Sequence, residues 1–189
     1  MKASKKNLIN QAAIELFARH SIYGATVKDI TSKAGVTEGA LYRHYKSKEE
    51  MAARLYVEKI EALMNVLTGV TPCTPFSRQL CQVIEALYKY YDDEPYSLVF
   101  LIRNFHIIQT IDEQDLREYL YNFISQYVIN LCSEVNPDIE WALLPSSISG
   151  LVLQPVIFHY YKKLPLPPLS YAETITANCC QILGINYEN

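Results

Sequence analysis

Glycine is scarce in this chain, with six among 189 residues. No Gly-rich loop of the kind that cradles phosphate is present, and Ser146, Ser147 and Ser149 lack a flanking glycine on one side, so no nucleophile elbow forms there. The five cysteines, Cys73, Cys81, Cys132, Cys179 and Cys180, are odd in number and show no Cys-x-x-Cys spacing, which argues against a disulfide framework or a zinc knuckle. Adjacent Cys179 and Cys180 cannot share one face of a helix, so one is expected in the core and the other at an interface or surface. His106 and His159 have no carboxylate or second imidazole at ligand spacing; neither a metal nor a cofactor is expected. No apolar run approaches twenty residues and the N-terminus is polar, so no membrane span or secretory signal is expected, and the expected location is cytoplasmic. Strand alternation is absent throughout, which leaves an all-α chain.

What is present begins between Thr26 and Met51. Thr26 can accept the N–H of Asp29, whose acid sits where a capping box places it, so a helix should start at Val27. Val27, Ile30 and Ala34 then fall on one face, and Gly35 supplies the left-handed residue that closes such a helix. Val36 plugs the bend, Thr37 can cap the next helix, and Leu41 with Tyr45 repeats at i, i+4 toward the same small core. This leaves Glu38, Gly39, Tyr42, Arg43, His44 and Lys46 outside. Small Gly39 and Ala40 would let a helix approach a DNA groove closely. Ser47 and Glu50 read as a second capping box, with Lys48 in the first turn of a long helix and well placed for a phosphate. Two short helices hinged at a glycine are the arrangement of a helix-turn-helix reader of DNA.

The stretch resembles the N-terminal domain of the TetR family of transcriptional repressors. The resemblance is carried by Phe17-Ala18, the Gly35-Val36 turn, Leu41-Tyr42 with Tyr45, and Ser47-Lys48-Glu49, and it covers roughly the first quarter of the chain. One departure stands at Ser21, where the family usually has glycine, so the serine must tolerate the turn geometry there. The resemblance implies that Tyr42 and Lys48 hold the DNA backbone, helped by Thr26 and Thr37. It also implies that Lys28, Glu38, Gly39 and either Arg43 or His44 touch base edges.

Charge is distributed in the same sense. Up to Glu50 there are nine Lys or Arg against five acids, although the whole chain, with 17 against 20, carries a net charge of −3. Attraction to a polyanion must come from one face, with modest, salt-sensitive affinity. Lys2, Lys5 and Lys6 could add a loose arm, or simply keep the terminus solvated.

Beyond Met51 the pattern stays helical and 50% of all residues are hydrophobic, enough for a substantial core. Leu55, Ile60, Leu63, Met64 and Leu67 mark one long helix ending near Gly69, and Pro72 and Pro75 enforce a turn. Leu80, Val83, Ile84, Leu87 and Tyr91 mark the next, stopped by Asp93-Glu94-Pro95, followed by a stripe of Leu98, Leu101, Ile102 and Phe105. Leu116, Leu120, Phe123, Ile124, Tyr127 and Leu131 suggest another. A segment from Asp138, taken as a cap, to about Tyr161 is expected to bend at Pro145 and Pro155, and Ser170 with Glu173 reads as a third capping box before a closing helix.

The expected architecture is therefore a three-helix DNA-reading domain over residues 1–47 and a larger helical domain over 48–189. The family resemblance implies that the last two long helices pair with those of a second copy; Ile148, Leu151, Val152, Val156, Ile182 and Leu183 suit that role or an internal core equally. Of the 15 tyrosines most lie beyond Met51, a composition that suits a pocket for a partly polar organic effector, and Phe105, His106, Tyr127, Trp141, Gln154 and Phe158 are its candidate lining. The reading that results is a homodimeric regulator, a repressor in the family's usual mode. An effector favouring the arrangement that fits DNA less well would release it from a palindromic operator. Two other readings stay open: a small helical enzyme, and a protein-binding adaptor using the aromatic body.

Overall fold

A computed structural model describes residues 4–106, 127 and 143–187, and among these every regular element is helical. The elements are α1 (Lys5–Gly24), α2 (Val27–Ala34), α3 (Glu38–Tyr42), α4 (Lys48–Thr68), α5 (Phe76–Asp93), α6 (Pro95–Arg103), α7 (Leu144–Tyr160), a 3₁₀ turn (Pro168–Tyr171) and α8 (Ala172–Leu183). They fall into two packing units, Met1–Ala62 with Glu94–Asp112, and Leu63–Asp93 with Glu113–Asn189. Packing thus groups the start of α4 and all of α6 with the N-terminal helices, a division distinct from the functional one expected after residue 47.

In the first unit α1 packs on α2 and α6 around Ile9, Ala13, Phe17, Ile30, Leu41, Met51, Leu55 and Phe100, all fully buried or nearly so. Phe100 is the centre of this core: its ring stacks on Phe17 at 5.8 Å and meets Tyr56 edge-on at 5.8 Å. Such pairs add about 0.5–1.5 kcal/mol beyond the area they bury. α6 starts at Pro95, whose missing N–H is harmless in a first turn, and buries Ser97 through Leu101 without interruption, so its expected stripe is in fact nearly a full circumference.

The second unit packs α5 against α8 and α7 through Leu80, Ile84, Leu87, Tyr88, Val156 and Leu183. Pro155 lies inside α7, as expected, and beside it the buried Tyr88 hydroxyl donates to the Val152 carbonyl at 2.8 Å. Pro145 stands in the first turn of α7, where it starts the helix and bends nothing. The expected cap Asp138 and the stripe from Leu116 to Leu131 lie outside the described residues, except Tyr127. Ser170 is no cap: it sits in the 3₁₀ turn, and α8 begins two residues later behind Tyr171 without a side-chain cap. Cys179 and Cys180 are both fully buried, contrary to the expected split, because α8 is covered by α5, α7 and the 3₁₀ turn on more than one side. Burial pushes the Cys180 thiol up, so it is no ready thiolate. Ile182 is 46% exposed and Leu183 is buried, which separates two residues that the sequence grouped together.

Ser21 has φ 59° and ψ 173°, a conformation inside α1 that glycine alone occupies freely. Replacing Ser21 by glycine should therefore stabilise the first unit by about 1 kcal/mol, the lower end of the usual strain cost. A higher urea midpoint is the expected reading, and a lower one would show that the serine side chain itself holds the corner.

Glu94, at the N-terminus of α6, receives the Lys59 ammonium at 2.6 Å and the Ser97 hydroxyl at 2.6 Å. Partial burial pushes its carboxyl up, but the Lys59 and Ser97 hydrogen bonds and the Lys59 charge outweigh this and hold it below the usual carboxylate range. A depressed folded value means the contribution is complete above the ordinary Glu pKa of about 4.3 and fades as pH falls through the folded value. Glu94→Gln should flatten that part of the acid-unfolding curve; a curve identical to the parent's would remove Glu94 from the account.

Candidate nucleic-acid interface

The reading helices are held by local bonds. The Thr26 hydroxyl accepts the Asp29 N–H at 3.1 Å, the Asp29 carboxylate accepts the Thr26 N–H at 3.1 Å, and the box closes as expected. The same hydroxyl donates to Asp29 at 2.6 Å, and these bonds from Thr26 hold the Asp29 carboxyl below its usual range. At the other end of α2, Gly35 is left-handed (φ 66°), its N–H reaching Ser32 O at 3.3 Å while Val36 N–H reaches Thr31 O at 3.0 Å. This pair of bonds satisfies the last carbonyls of α2 and turns the chain directly into α3.

α3 is five residues long, and Thr37 precedes it without a side-chain capping bond, so the cap expected of that hydroxyl is not made. Leu41 and Tyr45 are buried, the Tyr45 hydroxyl donating to Asn10 Oδ1 at 2.7 Å, and α3 is thereby fixed with its other side outward. Lys28, Thr37, Glu38, Gly39, Tyr42, Arg43, His44 and Lys46 are all exposed. A Cβ built on Gly39 would meet nothing within 4 Å, so the protein's own packing does not require glycine there. Lys28, Arg43 and Lys46 form no ion pair among the described residues, whereas Lys33 and Arg19 are both bonded to Glu15 at 3.0 Å.

Lys48 differs from the expected free cation. Its ammonium donates to Ile22 O at 2.7 Å and Ala25 O at 2.9 Å, with Glu49 at 3.9 Å and the side chain only 18% exposed. The corner between α1 and α2 leaves these carbonyls without helical partners, and the nearest flexible donor is drawn inward to them. Thr26 likewise spends both its hydroxyl proton and its N–H on Asp29. The Ser47 hydroxyl accepts the Glu50 N–H at 3.0 Å, but the Glu50 carboxylate takes the Lys46 N–H at 2.5 Å, one residue before the position a regular box uses.

The end of α6 supplies partners that the sequence reading missed. Asn104 is fully buried; its amide donates to Phe17 O at 3.3 Å and Phe100 O at 2.9 Å, and its oxygen accepts the Ile22 N–H at 3.3 Å. Arg103 donates to Ala18 O at 2.5 Å and Arg19 O at 2.9 Å. These are the backbone groups on either side of the break at Ser21. A glycine-type position filled by serine was the available hint that α1 would break there and leave such groups to be satisfied.

Tyr23, Thr26, Tyr42, Lys46, Ser47 and Lys48 share one open depression of about 390 Å³. The residues expected to line an effector pocket are distributed otherwise. Phe105 and His106 are exposed and belong to the first unit, where His106 stacks on Tyr23 at 5.6 Å with the rings 14° from parallel. In the second unit, Tyr127 is half-buried with its hydroxyl on Leu67 O at 3.0 Å, while Gln154 and Phe158 are exposed one turn apart on α7. Trp141 lies outside the described residues. His159 faces the Tyr91 hydroxyl at 3.0 Å.

Residues 9–55 match the family of bacterial regulatory proteins, tetR family. Over 124 residues, covering 62% of this chain and 40% of the relative, the sequence is 28% identical to the uncharacterized HTH-type transcriptional regulator YerO of Bacillus subtilis. Over 49 residues, 26% of the chain and 24% of the relative, it is 43% identical to the HTH-type transcriptional repressor KstR2 of Mycolicibacterium smegmatis. The matched segments thus span less than half the length of these relatives. Among solved structures, the transcriptional regulator FadR of Bacillus subtilis in complex with stearoyl-CoA superposes with a TM-score of 0.68 at 16% identity, over 97% of this chain and all of the other. The fold is the all-helical one of that solved structure, with an N-terminal helix-turn-helix, and the match to the tetR family model lies in the first quarter of the chain.

The role of Asn104 is open to direct measurement. Asn104→Ala leaves the Ile22 N–H and the Phe17 carbonyl unpaired, and should cost about 2–4 kcal/mol from two such groups. Equilibrium denaturation followed at the first unit reads this, and a loss below about 1 kcal/mol would mean that water replaces the amide.

Proposed function

We propose that the chain is a DNA-binding transcriptional regulator that works as a homodimer and is released from a palindromic operator by a small organic effector. The observation that carries this reading is the outward side of α2 and α3, where Gly39 has open space above it and Lys28, Arg43 and Lys46 have no ion-pair partner among the described residues. A side free of internal obligations, basic and with backbone accessible at Gly39, suits insertion into a major groove. Tyr42, 52% exposed, and the uncapped Thr37 hydroxyl are the backbone donors; Lys28, Glu38, Gly39, Arg43 and His44 face the bases. Lys48 and Thr26 contribute by holding the corner; the Thr26 hydroxyl donates to a phosphate only by giving up its bond to Asp29, while the Lys48 ammonium has one N–H beyond its two carbonyl bonds.

Residues 1–47 read DNA in this account, and 48–189 bind the effector and the second copy. Phe158 and Ile182, each nearly half exposed, give α7 and α8 apolar surface for pairing. Two heads about one helical turn, ~34 Å, apart would meet successive grooves. The effector class to try first is a long-chain acyl-CoA, since stearoyl-CoA is bound by the FadR of Bacillus subtilis. No helix among the described residues is long and apolar enough to cross a membrane, in keeping with a cytoplasmic regulator.

The test is retention of fragments from the source genome by the purified chain. Gly39→Leu should leave the fold intact, because the position is exposed and a Cβ there meets nothing within 4 Å, yet weaken binding to a retained duplex at least tenfold by keeping the helix out of the groove. Tyr42→Ala should weaken it by about 1–2 kcal/mol through a lost phosphate contact. Undiminished binding by both variants would remove the interface. Failure of the parent to retain any duplex, with turnover of a ligand or capture of a protein in its place, would turn the assignment to an enzyme or an adaptor.

A further inference from the structure

Tyr23 is 75% exposed, so its phenol contributes little to the core, yet its ring has a stacking partner and the backbone beside it is fixed. Its ring stacks on His106, and the N–H of the preceding residue, Ile22, is bonded to the buried Asn104, two residues before that histidine. It also borders the depression shared with Tyr42, Lys46 and Ser47. Lys48 and the acidic Glu49 also line that depression, and with the Lys48 ammonium bonded to two carbonyls an anion there would be received chiefly by hydroxyl donors and the exposed Lys46 ammonium. We propose that Tyr23 is a further DNA-backbone contact and that His106 is the residue that positions it, an assignment that rests on the DNA-binding reading above. A phenol in this place donates one hydrogen bond to a phosphate oxygen and lays its flat side along the sugar. It carries no charge, so it adds affinity without releasing a counterion.

That distinction gives the test a readout that mere structural damage does not mimic. Affinity for a duplex retained from the genome is measured across a salt series for the full chain and its variants. Tyr23→Phe should weaken binding about tenfold, in line with loss of one hydrogen bond to a charged group, and Tyr23→Ala somewhat more, about thirtyfold. The slope of affinity against salt should stay at the parent's value, while Lys46→Ala lowers it by about one ion. His106→Ala should reproduce part of the Tyr23→Ala loss, His106→Phe should restore it by keeping the stack, and the double alanine variant should bind as Tyr23→Ala does. Binding by Tyr23→Ala within twofold of the parent, a changed salt slope in that variant, or further weakening by His106→Ala in the Tyr23→Ala background would each overturn the proposal. If Tyr42→Ala is impaired and Tyr23→Ala is not, this inference falls and the regulatory reading stands. If the parent binds no duplex, both fall.

Discussion

The first unit depends on a break in α1. Serine at position 21, held at φ 59°, interrupts the helical ladder and leaves backbone groups on both sides that must find other partners. Asn104 and Arg103, at the end of α6, take those of Phe17, Ala18, Arg19 and Ile22, and Lys48, at the start of α4, takes those of Ile22 and Ala25. Three residues distant in sequence are thereby tied to one turn of backbone. Because a buried unpaired group costs about 1–3 kcal/mol, the three ties act together as a strong constraint on where α4 and α6 meet α1.

This constraint determines what the DNA-facing side has available. The break lets α1 end at a corner from which α2 starts under its Thr26 box, and the Gly35 turn then sends α3 outward. Lys48 is consumed in fixing that corner. An ammonium with two short carbonyl bonds is worth more to the corner than a solvated ammonium is to an absent phosphate, so the free protein draws it inward. The cations thus divide in two: Lys48 and Arg103 secure the backbone, while Lys28, Arg43 and Lys46 remain outside.

Features set by neighbours within one turn were legible in the sequence. Thr26 with Asp29, Gly35 after Ala34, and Leu41 with Tyr45 act over three or four residues, so the partners lie within the pattern itself. Pro95 and Pro155 were legible for the same reason. Features that depend on which distant groups fall short of a partner were not. Nothing local to Asn104 distinguishes it from a surface asparagine, and nothing local to Lys48 says that two carbonyls from residues 22 and 25 will be open beside it. Ser170 with Glu173 shows the converse failure: the local signal is present, but the Pro168 turn continues past it and α8 starts later. His106 was assigned to an effector pocket on composition alone, whereas its position just past α6 brings it to Tyr23.

The sequence's nine cations before residue 51 overstate the charge available to DNA. Lys33 and Arg19 are paired with Glu15, Arg19 also lies over the Tyr96 ring at 5.1 Å, and Lys48 is turned inward. Apart from the lysines of the N-terminal segment, this leaves Lys28, Arg43 and Lys46 as the exposed cations up to residue 50 that make no ion pair among the described residues. Each phosphate neutralised contributes a salt exponent of about 0.9, and with Lys28 and Arg43 proposed to face the bases, so few phosphate-facing cations per head would supply only a shallow, nonspecific pull. Selectivity then falls to contacts that carry no charge. On the proposed reading, Gly39 would set depth in the groove, the phenol of Tyr42 would fix register on the strand, and a second head would multiply a modest affinity only where spacing permits both to engage. In a chain whose remainder is acidic, such a balance would keep a regulator of the proposed kind from holding DNA at random, because neither the whole molecule nor one head would attract it strongly enough without a fitting pair of half-sites.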